Sequence, residues 1–147
     1  MGKYRMSYHA IYCCKYHIVW VPKYRFRVLR GAIKELLERD IEGISEWLGT
    51  EVLELSVQED HVHVVVSIPP KVSVAEHMGT VKGKTAIKLI KSYPGLRQKL
   101  CWGNHFWARG YFASTIGLDE QVIRRYVRYL EKEEKREEKQ QTSFRLF

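Results

Sequence analysis

Residues 51–70, EVLELSVQEDHVHVVVSIPP, restrict the possible folds more than any other stretch of the chain. Two apolar, β-branched runs, 51–58 and 61–68, flank a tight polar turn near Gln58–Asp60, and Pro69–Pro70 stops the second. Runs joined by so short a turn pair antiparallel. The rest of the chain alternates around this hairpin. AIYCCKYHIVWV, residues 10–21, reads as a strand. Ile33, Leu36, Leu37, Ile41, Ile44, Trp47 and Leu48 recur at helical spacing, with Gly49 where a helix C-cap falls. Ser73 and Glu76 make a capping box for a helix that carries Val74, Met78, Val81, Thr85 and Leu89 on one face and stops at Pro94–Gly95. FWARGYFAST, 106–115, reads as a last strand, and a final helix begins near Asp119. The order β-α-β-β-α-β-α predicts an α+β domain: an antiparallel sheet with helices on one face, the ferredoxin-like arrangement, followed by a C-terminal helix. One domain is expected, with a core over about 10–117 and the last helix and charged tail over about 119–147. That architecture hosts many activities, so function has to be read from a site.

Charge is unevenly distributed. Residues 1–30 hold seven Lys/Arg and no acid, residues 31–70 two bases against nine acids, and residues 71–109 eight bases against Glu76 alone; the net charge is +8. Basic blocks of this kind draw polyanions. The first block interleaves aromatics with bases in KYHIVWVPKYRFRVLR, which suits stacking on unpaired bases. No stretch approaches the ~18 apolar residues of a membrane span, and the first 30 residues lack a signal-peptide core, so a soluble cytoplasmic protein is expected. Cys13, Cys14 and Cys101 form no CxxC and read as buried small hydrophobes in a reducing compartment.

Three constellations bear on chemistry. His61 and His63, two apart on a strand, point to one face with Val62 and Val64 on the other. Paired imidazoles can hold a divalent cation, with Asp60 orienting one ring; packed or solvated histidines are the alternative. Tyr126 and Tyr129 lie on the final helix beside Arg124, Arg125 and Arg128. Either phenol is a potential nucleophile if cations and a metal-polarised phosphodiester activate it, or both pack with Val122, Ile123, Val127 and Leu130. VKGKTAIK lacks the spacing of a phosphate-binding P-loop, leaving Lys82 and Lys84 as backbone-phosphate contacts or solvated charges.

The chain resembles the TnpA transposases of the insertion-sequence 200/605 family, single-tyrosine members of the HUH (His-hydrophobe-His) endonucleases. The similarity runs from about Tyr12 to Lys132 and includes YHIVWVPKYRFRVL (16–29), DHVHVVVSIPPKVSV (60–74), MGTVKGKTAIKL (78–89) and GNHFWARGYFASTIGLDEQVIRRYV (103–127). The resemblance implies that His61 and His63 bind Mg²⁺ or Mn²⁺ and that Tyr126 attacks single-stranded DNA to leave a 5′-phosphotyrosine and a free 3′-OH. It also implies a homodimer in which the tyrosine helix of one subunit completes the other's site, and recognition of DNA hairpins through Lys23, Arg25, Arg27, Lys82, Lys84 and Arg124. No small-molecule cofactor is implied. One position departs: where the family usually carries a metal-binding Gln four residues after the tyrosine, this chain has Leu130. His17, Ser56, Asp60, Glu59 and Glu131 are the remaining candidates to support the metal. A non-catalytic hairpin-binding module, and more remotely a zinc hydrolase, compete with this reading.

Overall fold

The computed structural model describes residues 4–7, 9–96 and 105–145. The predicted hairpin is present as β4 (Glu51–Gln58) and β5 (His61–Ser67), with Glu59 and Asp60 as the two-residue turn. Register is imposed by burial: Val62, Val64 and Val66 are at most 1% exposed, and slipping by one residue would bring them to the opposite face. The same constraint carries the imidazoles of His61 and His63 to the other face of the sheet, where both are only half-buried.

β3 (Lys15–Trp20) pairs antiparallel with β5 on one side and with β6 (Phe112–Ser114) on the other, giving the order β4-β5-β3-β6. Two sequence expectations need correction here. The single strand over 10–21 is broken at Cys13–Cys14: β2 (Ala10–Tyr12) folds back on β1 (Arg5–Ser7) as a separate ribbon, while β3 joins the main sheet. The Cys14 carbonyl at the break accepts the amide of Ile68. Cys13 is exposed and Cys14 half-buried, so neither behaves as the expected core hydrophobe; Cys101 lies outside the described residues. The strand over 106–115 shrinks to three residues. Its first half makes one bridge, Trp107 to Pro22, and then turns through Gly110, whose φ of 81° favours glycine.

α1 (Gly31–Trp47) and α2 (Val74–Ser92) cover one face of the sheet. Leu37, Ile41, Met78, Val81 and Leu89 pack there against Ile18, Trp20, Val62, Val64 and Val66. Ser73 caps α2 as expected, accepting the Glu76 amide at 3.0 Å, and Gly49 (φ 76°) follows the end of α1. The last helix, α3 (Glu120–Arg145), starts where the Asp119 carboxylate accepts the Val122 amide at 2.8 Å. It packs on the opposite face through Val127 and Leu130, which join Val19, Val21 and Ala108 in a second core. Among the described residues no helix is long and apolar enough to cross a membrane.

Lys82 ties these layers together. Its ammonium donates to the carbonyls of Ala108 (2.9 Å) and Gly110 (2.8 Å), holding the turn that leads into β6. Burial lowers its pKa to about 8, with Glu134 opposing part of that shift. Between about pH 8 and 10.5 the unfolded chain therefore binds the proton more tightly than the folded one, and stability should rise with pH by about 1–3 kcal/mol through this group. Urea titrations across that window should show this rise in the wild type and its loss in Lys82→Met; parallel profiles would remove the linkage.

Candidate active site

The face bearing His61 and His63 opens into a cleft of about 760 Å³. β4 and the hairpin turn contribute Ser56, Gln58, Glu59 and Asp60, and α3 contributes Glu120, Ile123, Arg124, Val127 and Arg128. Arg25 and Arg27 close the remaining side. Four guanidiniums thus share one cavity with two imidazoles and the carboxylates of Glu59, Asp60 and Glu120, a mixed lining with an excess of positive charge that favours an anionic ligand.

The imidazoles are held by specific partners. His61 Nδ1 lies 2.8 Å from Asp60 Oδ1, which fixes that ring and leaves Nε2 for the cleft. His63 Nε2 and His17 Nδ1 share a hydrogen bond at 3.3 Å, with the rings stacked 22° from parallel. Burial, then the neighbouring His17, lowers the His63 pKa, with Glu54 opposing. The ring is thereby kept as the neutral imidazole that a metal requires. Ser56 faces His63 across the β4–β5 ladder, and Gln58 faces His61.

No group of three or more His, Cys, Asp and Glu side chains among the described residues converges as a metal-ligand set. The donors available are the two imidazoles, with His17 hydrogen-bonded to His63 and Ser56 and Gln58 opposite them on β4, so water would have to complete the coordination of any ion held here. Two candidates for the missing ligand are displaced. Glu131 pairs with Arg25 at 3.4 Å, and Arg25 in turn pairs with Asp60 at 3.5 Å, so Glu131 touches the imidazoles only through a chain of ions. Glu59 is a turn residue, outside the strand alternation that would set it in phase with the histidines. Leu130 is buried in the second core and is not among the residues lining the cleft.

The cationic residues divide. Arg27 and Arg124 are exposed and line the cleft, Arg124 donating to the Glu120 carboxylate at 2.7 Å. Arg25 lines it too, but its guanidinium is engaged by Asp60 and Glu131. It occupies, with Tyr24, a pair of left-handed backbone positions (φ 53° and 57°), a conformation that costs roughly 1–2 kcal/mol per residue. The Glu134 carboxylate offsets this by accepting the Tyr24 amide at 3.0 Å. Lys23 is 8% exposed and unsuited to a DNA-contacting surface. Lys82 spends its charge on the two carbonyls described above. Lys84 sits over the Trp47 ring at 4.2 Å, on the helix layer across the sheet from the cleft.

Tyr126 does not line the cleft. Its ring stacks on Phe112 with centroids 3.3 Å apart and planes 15° from parallel. At 100° per residue, Arg124 and Arg128 each project about 160° away from it around the helix. In this docking α3 offers guanidiniums to the imidazoles and turns the phenol toward β6. Tyr129 is 58% exposed.

Sequence reasoning named Arg128 only as a cation beside the tyrosines, and missed Gln58 and Phe112 as site residues. The two-residue turn already implied Gln58 opposite His61, and Arg128 is one helical turn from Arg124. Nothing local pointed to Phe112, which reaches this face only through the β3–β6 register.

Residues 5–130 match the family model for IS200-like transposases. The chain is 34% identical over 135 residues to the transposase of insertion sequence element IS200 from Salmonella typhimurium, covering 92% of this chain and 88% of that one. It is 31% identical over 118 residues to the ISDra2 transposase TnpA of Deinococcus radiodurans, covering 80% and 84%. A crystal structure assigned as a transposase from Deinococcus radiodurans superposes with a TM-score of 0.74 at 25% identity, over 87% of this chain and 96% of that one. A REP-associated tyrosine transposase solved bound to a REP hairpin shares the fold, with a TM-score of 0.51 at 17% identity over 88% and 70%. The matched stretch takes in the imidazole hairpin, the cationic cleft and the first turns of the tyrosine helix, and the chain belongs to the family of IS200-like transposases.

Proposed function

We propose that this transposase cuts and rejoins single-stranded DNA next to a hairpin, using Tyr126 as nucleophile and a divalent ion held by His61 and His63. The observation that carries the reading is the cleft itself: two imidazoles and four guanidiniums on one sheet face, beneath the helix that bears the tyrosine. Arg27, Arg124 and Arg128 neutralise the DNA backbone and the charge that builds on the scissile phosphate. Asp60 holds the His61 ring so that Nε2 faces the cleft. Bound Mg²⁺ or Mn²⁺ supplies Lewis-acid polarisation of the phosphodiester. The Tyr126 oxygen bonds to phosphorus, the 3′-oxygen leaves with a proton, and attack by a 3′-OH on the 5′-phosphotyrosine reverses the exchange. One phosphoester replaces another at each step, so no nucleotide hydrolysis is required. Because the phenol is stacked on Phe112 and does not line its own cleft, we assign it to the cleft of a second copy in a homodimer, with α3 shifting about the link 115–119.

Incubation with hairpin-tailed single-stranded DNA and Mn²⁺, resolved on a denaturing gel, should give a covalent protein–DNA adduct that a chelator suppresses. His63→Ala should lower the adduct by at least about 100-fold, since metal polarisation of a phosphoryl oxygen supplies several kcal/mol. Hairpin affinity should be nearly unchanged, because backbone contacts dominate it. The buried Leu130, without a donor atom, favours a second reading, a hairpin-binding module without nuclease activity; tight binding with no adduct under any divalent metal would establish that instead.

A further inference from the structure

Phe112 stands at the end of a row that crosses the sheet. Val19 pairs with Phe112 on one side and with His63 on the other, and His63 pairs with Ser56. Directly opposed residues share a face, so Phe112 lies on the cleft side, two strand spacings or about 10 Å from His63. Val19, between them, is fully buried beneath α3. Phe112 is half-buried, and the ring packed flat upon it is that of Tyr126, the group the proposed reaction must move. Once Tyr126 leaves for a phosphodiester, an aromatic face is uncovered beside a cationic cleft on a β-sheet surface. Aromatic side chains so placed on sheets are platforms for unpaired nucleobases.

We propose that Phe112 is a stacking platform for an unpaired base adjoining the scissile phosphate, and that Tyr126 covers it when no DNA is bound. The tyrosine ring occupies the position of the base, with the near-parallel, close-contact geometry that a base would adopt. Release of the nucleophile and capture of the strand are then one exchange: the base replaces the phenol on Phe112 and keeps α3 from returning. This rests on the single-strand nuclease reading above, and it adds a site that distinguishes a hairpin with a single-stranded flank from the bare stem.

The test uses the full chain and hairpin oligonucleotides carrying 2-aminopurine at successive positions of a single-stranded tail, with the stem alone as control. One tail position should be quenched on binding. Phe112→Leu should abolish that quench and weaken tail-dependent affinity by about 5- to 100-fold, the range for loss of one base–aromatic stack, with stem affinity unchanged. Phe112→Trp should keep both. Tyr126→Ala should shift affinity for the tailed DNA the opposite way, tighter than wild type, because the platform is already bare. A quench that persists in Phe112→Leu, or Tyr126→Ala binding no tighter than wild type, overturns the platform while leaving the nuclease reading intact. Failure of the wild type to bind even the stem overturns both. Thermal melts and the retained stem affinity of each variant establish that it is folded.

Discussion

Tyr126→Phe is expected to eliminate the covalent protein–DNA adduct, a loss of at least about 1,000-fold, because the oxygen proposed to form the phosphoester bond is gone. The substitution is conservative for everything else. Phenylalanine keeps the ring that stacks on Phe112, and the packing of Val127 and Leu130 against Val19, Val21 and Ala108 does not involve the hydroxyl. Hairpin affinity should therefore stay within about twofold of wild type, since phosphate contacts supply most of it. Adduct yield on denaturing gels and affinity by fluorescence anisotropy separate the two effects. Tyr129 is the natural control: it is exposed and lies about 60° around α3 from Tyr126. Adduct that survives Tyr126→Phe and vanishes only when Tyr129 is also replaced would transfer the role to Tyr129. Survival in the double variant would remove tyrosine chemistry from this helix.

The second large effect is rescue by mixing. In the proposed homodimer, Tyr126→Phe and His61→Ala/His63→Ala chains should each be inactive alone. After subunit exchange, half the dimers are mixed. If the phenol of one subunit serves the imidazoles of the other, each mixed dimer has one complete site, so adduct should recover to about a quarter of the wild-type yield in a two-fold symmetric assembly. The structural ground is the position of Tyr126, which is stacked on Phe112 and lies about 160° around α3 from Arg124 and Arg128, the guanidiniums that line its own cleft. A nucleophile acting on its own subunit's imidazoles gives no rescue, since every site then lacks one partner. Absence of adduct after exchange has been verified by mass spectrometry would place the reaction within one chain and require α3 to rotate on its own sheet.

The sheet hairpin, both layer helices and the start of α3 were legible because each is written in local periodicity and punctuation: alternation in HVHVVVS, the cap at Ser73, the stop at Pro94, the cap at Asp119. The pairing of His61 and His63 on one face followed from the two-residue period of a strand. The ribbon of β1 and β2 was not legible, because the run 10–21 is uniformly β-prone and nothing in it marks Cys13–Cys14 as the point where pairing changes partner. The strand over 106–115 was overestimated for a related reason. Its first half is drawn off by carbonyl contacts to Lys82 and by the turn at Gly110, both decided by residues far away in sequence.

The site divides along the same line. The sequence by itself determined which chemistry is available, since imidazoles two apart on a strand, a phenol among arginines and a net basic surface are properties of residue type and local spacing. The tertiary structure alone decided how those groups are committed. Lys23 is buried, Lys82 is spent on carbonyls, and Arg25 is held between Asp60 and Glu131. Leu130 is core, and Tyr126 rests on Phe112. Each of these depends on contacts between segments tens of residues apart, where burial and competing partners, rather than local propensity, set the conformation of a side chain.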